Sequence, residues 1–143
     1  MKPLSLRVTA AVVWLGAFPA SAHHSYAVFD RTKSTTVTGT VAKLELTNPH
    51  GYVWVYVPNS ESPNGYDLYS FENGPPGVMA RVGWTQDTLR PGEKISVEYW
   101  PLKDGRTGGH LLKVTHADGR ITPGDPGLRG VAVDSEPPER KPQ

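Results

Sequence analysis

The stretch from Thr35 to Thr47, TTVTGTVAKLELT, constrains the fold more than any other part of the sequence. Its β-branched residues favour a long strand. Gly39 interrupts that strand, and a glycine in such a place marks a bulge or a sharp bend. Asn48-Pro49-His50-Gly51 then makes a turn, and Tyr52 to Val57, YVWVYV, reads as a second strand. After a polar loop, Tyr66 to Glu72 forms a third. Asn73-Gly74-Pro75-Pro76 can open a helix, with Val78, Met79 and Val82 at helical spacing and Gly83 as its C-cap. Lys94 to Leu102 is a fourth strand, in which Ile95, Val97 and Tyr99 alternate. A glycine-rich hairpin, Lys103 to Gly109, leads into a fifth strand, His110 to His116.

The order β-β-β-α-β-β, with a long first strand bent at a glycine, predicts an all-β fold with one short helix. It is the order of the small five-stranded oligonucleotide/oligosaccharide-binding (OB) barrel. The alternative is an open β-sandwich with the helix covering one edge. Residues 35–121 would form the barrel, preceded by an arm over 23–34 that Tyr26, Val28 and Phe29 pin to it. From 122 to 143 prolines are scattered among glycine and charge, which predicts a disordered tail.

The N-terminus predicts export. Lys2 and Arg7 precede an uncharged apolar run from Val8 to Phe18, and Ala20-Ser21-Ala22 is a small-x-small cleavage signature. The run falls well short of the roughly 20 residues that span a bilayer, so it reads as a signal peptide over 1–22 rather than a permanent anchor. The expected compartment is the periplasm, and the expected mature chain begins at His23. That chain holds one more acidic than basic residue, which points away from nucleic acid as a partner. The absence of cysteine excludes disulfides, thiolate metal sites and cysteine nucleophiles together.

All five histidines, His23, His24, His50, His110 and His116, lie in this mature region. A histidine at a free N-terminus can chelate a metal through its α-amine and Nδ1, because the amine releases its proton cheaply at neutral pH. A second imidazole completes a nitrogen-only, T-shaped site of the histidine-brace kind, a chemistry that favours Cu(II). In an OB-like barrel the loops carrying His50 and His110 flank one face. The candidate ligands are therefore His23 and His50, with His24 or His110 auxiliary. His110 shares strand parity with Leu112 and Val114, which predicts a core-facing side chain. His116 lies at the far end of the same strand and is left out. Each histidine also has a plainer reading. His23 and His24 simply follow a cleavage site, His50 braces a turn, and His110 is a solvated strand end.

Catalytic patterns are absent. No carboxylate pair, G-x-S-x-G, H-E-x-x-H or phosphate loop occurs, and no enzyme activity is expected. Tyr52, Trp54, Tyr56, Tyr69, Trp84 and Trp100 could form a stacking platform for sugars or bases, though an aromatic stripe on strands is usually core.

The segments AHHSYAVFD, VTGTVAKLELTNPHGYVWV, RVGWTQDTLRPGEKISV and KDGRTGGHLLKVTHADGR resemble a family of small exported bacterial proteins known only as a domain of unknown function. The marks are His23-His24-Ser25, Phe29-Asp30, Asn48-Pro49-His50 and Gly83-Trp84-Thr85. The resemblance covers about residues 22–121. It implies a periplasmic location and a compact β-rich domain, and no particular activity. It favours His50 over His110, where the family carries other residues. The function expected is non-catalytic copper binding in storage, delivery or tolerance. The alternative is a metal-free module that recognises a protein or small ligand on the barrel face. A copper oxygenase ranks behind both, since so small a domain offers little substrate surface.

Overall fold

The computed structural model describes residues 26–126. The expected signal segment, the pair His23-His24 and most of the expected tail lie outside the described residues. A single 3-10 turn, Tyr26–Val28, precedes β1 (Thr35–Leu46), β2 (Gly51–Pro58), β3 (Tyr66–Glu72), α1 (Pro76–Ala80), β4 (Lys94–Pro101), β5 (Gly108–His116) and β6 (Ile121–Pro123). The strands run β3-β2-β1-β4-β5-β6, and a β3–β5 pairing closes the first five into a barrel. That closing pair is parallel, whereas the other strand pairs are antiparallel. The result is the mostly β fold with one short helix that the element order predicts, with β6 as an added strand.

β1 makes the barrel possible by serving two neighbours. Thr35 to Thr40 pair with β4, and Thr40 to Leu46 pair with β2. Gly39 sits at the crossover, where a Cβ would run into the Tyr56 carbonyl oxygen and meet the Val55 side chain at 2.6 Å. Only a residue without a side chain lets the two backbones approach this closely. Gly108 does the same at the closing seam. Its φ is +119°, and a Cβ there would collide with the Ser70 backbone. Gly108 and Gly109, read from sequence as hairpin loop, thus begin β5 instead.

The interior is filled by alternate residues of the strands, including Val53 and Val55 of β2, Val97 and Tyr99 of β4, and Phe71 of β3. Met79 of α1 is fully buried against them, beside Trp84 and Leu89. Burial of each such side chain stabilises by roughly 1.5–3 kcal/mol. The Trp84 indole N–H donates to the Pro123 carbonyl at 2.7 Å, tying the helix region to β6.

Two bulges break the alternation. Ala42 has no partner between the pairs Val41–Val55 and Lys43–Trp54. Leu112 has none between Glu98–Lys113 and Tyr99–Leu111. One extra residue reverses the facing of everything beyond it. Hence Leu111 and Val114, three apart, both belong to the core cluster, and so do Val41 and, partly buried, Leu44. This corrects the expected orientation of His110. It is buried, but it lies on the opposite side of β5 from the core residue Leu111 and packs beneath the N-terminal arm.

The chain stays ordered past the expected boundary at residue 121. Lys113, Val114 and Thr115 pair with β6, and the Gly124 amide donates to the Leu112 carbonyl at 2.8 Å.

Candidate functional site: two histidines at the closing seam

The arm is fastened to the outside of the barrel by backbone bonds. Phe29 bridges to Leu102, the Asp30 amide donates to the Pro101 carbonyl at 2.8 Å, and the Lys103 amide donates to the Val28 carbonyl at 3.0 Å. This places Tyr26 and Phe29 over the outer face of β4 and β5, where Trp100 and His110 are cross-strand partners. The His110 ring is stacked on Trp100 at a centroid distance of 5.9 Å. Phe29 lies at 5.3 Å, and Tyr26 meets it edge-on at 5.1 Å. The Arg31 guanidinium covers the arrangement, 5.0 Å from the Trp100 ring and 5.9 Å from that of Tyr26.

His110 is 2% exposed, and among the described residues neither of its ring nitrogens has a hydrogen-bond partner. An unpaired buried polar group costs about 1–3 kcal/mol, so this side chain is a poor choice for packing alone. Burial pushes its pKa from 6.5 down to about 4; the Asp125 carboxylate opposes that shift, and the neighbouring His50 and Arg31 add to it. Near neutral pH the ring is therefore uncharged and carries a lone pair, the form in which imidazole binds a metal or accepts a hydrogen bond. The Trp100 indole N–H and the Asn73 side-chain amide nitrogen are likewise buried without partners.

His50 approaches the same seam from the β1–β2 turn. Its Nδ1 lies 2.8 Å from Glu72 Oε1, and the Tyr52 hydroxyl donates to Glu72 Oε2 at 3.4 Å. Glu72 is in turn the β3 partner of His110 across the parallel seam. The carboxylate holds the Nδ1 side of the ring, the arrangement in which a carboxylate orients a ligating histidine. Opposite, the Tyr26 hydroxyl donates to Asp125 Oδ2 at 3.2 Å. Burial first, and the Asp125 charge second, raise the Tyr26 pKa. A Cβ on Gly74 would lie 3.0 Å from the Asp125 carboxyl carbon, so that glycine makes room for it.

The structure thus gathers His50 and His110 at one end of the barrel, as the loop positions predicted. The candidate ligands His23 and His24 lie outside the described residues. Among the described residues, no three His, Asp or Glu side chains are arranged to hold a metal ion. Glu72, Asp125, Tyr26 and Arg31 are site residues that reading from sequence missed. The strand register signals Glu72, since a hairpin at Asn48-Pro49 followed by pairing of Tyr52 with Glu72 sets it beside His50. Nothing local signals Asp125, which sits beyond a proline in the expected tail.

His116 plays a separate part. Its Nδ1 contacts the Glu93 carboxylate and the Arg120 guanidinium, and its Nε2 contacts the Thr122 hydroxyl at 2.8 Å. Both nitrogens are committed, and they tie β5 to β6 and to the turn before β4. The expected aromatic platform also divides. Trp84 and Trp100 are buried, while Tyr52, Trp54 and Tyr56 lie on the outer face of β2, opposite Val53 and Val55.

The fold and site define a small β-barrel with a buried, unpartnered histidine under an N-terminal arm. The model of a family of unknown function, DUF6152, matches residues 11–112, and the chain belongs to that family. The matched span includes His50, Glu72 and His110 and ends before β6 and Asp125. No curated protein and no solved structure matches the chain.

Proposed function

We propose that this chain is an exported periplasmic protein that binds a metal ion, Cu(II) by the chemistry of its donors, at the histidine seam and without turnover. The observation that carries the reading is the buried His110 ring with both nitrogens unpartnered, set against Tyr26. Three peptide steps separate Tyr26 from His23, roughly 10 Å of fully extended chain. An N-terminus created by cleavage after Ala22 is therefore tethered within reach of the seam. His23 would give its amine and imidazole, and His50, oriented by Glu72, an opposing nitrogen. His110 or His24 would be auxiliary. Imidazole and amine donors without thiolate favour copper among the divalent ions.

The test uses mature protein beginning at His23, titrated with Cu(II) and followed by EPR. A nitrogen-ligated signal is expected, lost when a methionine precedes His23 and weakened by His50→Ala. A signal unchanged by the added methionine would refute the role of the amine. The second reading is a metal-free binding module, and the exposed Tyr56, Tyr66 and Leu68 side chains on the barrel's outer face favour it. Saturating Cu(II) that gives only the EPR signal of free aquo Cu(II) and leaves the melting temperature of the mature chain unaltered would decide for it.

A further inference from the structure

The outer face of β1, β2 and β3 carries a feature unrelated to the histidines. Tyr52, Trp54 and Tyr56 project outward from β2, and Leu68 of β3 is the cross-strand partner of Tyr56. Tyr66 meets Tyr56 edge-on at 4.6 Å. Tyr56, Tyr66 and Leu68 remain 40%, 41% and 44% exposed. The bulge at Ala42 puts a small side chain where the neighbouring strand would otherwise offer a larger one. The result is a hollow of about 260 Å³ lined by Ala42, Lys43, Trp54, Tyr56 and Leu68.

Its wall is held in place. The Trp54 indole N–H donates to Glu45 Oε2 at 2.6 Å, which sets the ring's angle. Lys43 pairs with the other carboxylate oxygen at 2.8 Å and lies 5.8 Å from the Trp54 ring centroid. An indole anchored in this way presents a fixed face without further loss of side-chain freedom on binding.

We propose that this hollow is a docking site for a neutral oligosaccharide. Three observations select that occupant. The face belongs to the second and third strands of an OB-like barrel, the surface on which such barrels take extended oligomers. Lys43, the one charged side chain among the described residues lining the hollow, is already neutralised by Glu45. A polyanion such as nucleic acid needs unpaired cations for its phosphates, and the wall has none. The remaining surface pairs aromatic faces with a carboxylate and an ammonium at the rim. That combination stacks on the apolar side of a sugar ring and bonds its hydroxyls.

The experiment adds chitohexaose, cellohexaose or maltohexaose at millimolar concentration to the mature protein and follows tryptophan emission and calorimetry. Binding of at least one sugar is expected. Trp54→Ala should weaken it roughly tenfold or more, on the scale of one lost stacking contact. Leu68→Arg, an exposed change that leaves the core intact, should weaken it as well, and melting curves confirm that each variant is folded. His50→Ala should leave sugar binding unaltered, which separates this site from the histidine seam. No binding of any of the three sugars overturns the proposal, as does binding that survives both Trp54→Ala and Leu68→Arg. Self-association that Leu68→Arg abolishes, or tighter binding of single-stranded DNA than of any sugar, overturns it too.

Discussion

Protonation of His110 should destabilise this protein as pH falls towards 4, and the size of the effect follows from its burial. The folded pKa is about 4 against an ordinary 6.5. Between these values the unfolded chain binds a proton that the folded one refuses. Stability therefore rises with pH in that window, is fully present above about 6.5, and is lost as pH falls towards 4. At about 1.4 kcal/mol for each pH unit the loss is roughly 3 kcal/mol, a large share of the about 5–15 kcal/mol of a typical domain.

The perturbation that isolates this effect is His110→Leu, which keeps a buried side chain of similar size and removes the titrating ring. Urea unfolding of the wild type and the variant is measured in EDTA across the window. Near neutral pH the variant should be as stable as the wild type or more so, because it also removes two unpartnered nitrogens worth about 1–3 kcal/mol. Towards pH 4 the gap should widen in the variant's favour by roughly a further 3 kcal/mol. Groups that do not interact with the ring titrate equally in both proteins and cancel in the difference. Parallel stability curves for the two proteins would refute the reasoning, since the ring would then have to be solvated or paired in the folded state.

Other predictions follow from single contacts. Gly39→Ala should lower the melting temperature, with a cost of roughly 1–3 kcal/mol or more, because its Cβ meets the Tyr56 carbonyl and Val55. Glu93 loses solvation on burial, but its bonds from His116 and the Arg90 amide outweigh that and hold its pKa below the usual 4.5. Its contribution is thus present above that value and lost as pH falls through the lower folded pKa; the melting-temperature difference between wild type and Glu93→Gln should shrink in acid. Glu72→Gln should weaken Cu(II) binding by about 10–100-fold in the EPR titration, the usual effect of disturbing a carboxylate behind a ligating histidine.

The fold was legible because it rests on local patterns. The β-branched run with Gly39 inside it announces the strand that serves two neighbours, and the punctuation at Asn48-Pro49, Pro75-Pro76 and Pro91-Gly92 marks the breaks between elements. Half of the site was legible for the same reason, since loop position alone brings His50 and His110 to one end. The other half rests on register and long-range packing. Leu112 is an ordinary strand residue by composition, yet its lack of a partner on β4 turns His110 from a core position to one beneath the N-terminal arm. Asp125 reaches Tyr26 across 99 residues of chain, through a short strand that only its neighbours reveal.

The bulge at Leu112 also explains why a histidine is tolerated at that point. Had the alternation run unbroken, position 110 would face the side of Val114, among aliphatic residues, where an imidazole without partners has nothing to offset its desolvation. Displaced to the seam, it faces aromatic rings that stack with it, the His50–Glu72 pair across β3, and an arm whose first described residue is three steps from His23. The ring still lacks hydrogen bonds there, so the seam carries a residual cost that packing does not remove. A bound ligand removes it by giving a nitrogen its partner. Metal or hydrogen-bonding ligand at His110 should therefore raise the melting temperature of the wild type while leaving His110→Leu unchanged. A thermal shift that is the same in both proteins would place the ligand elsewhere.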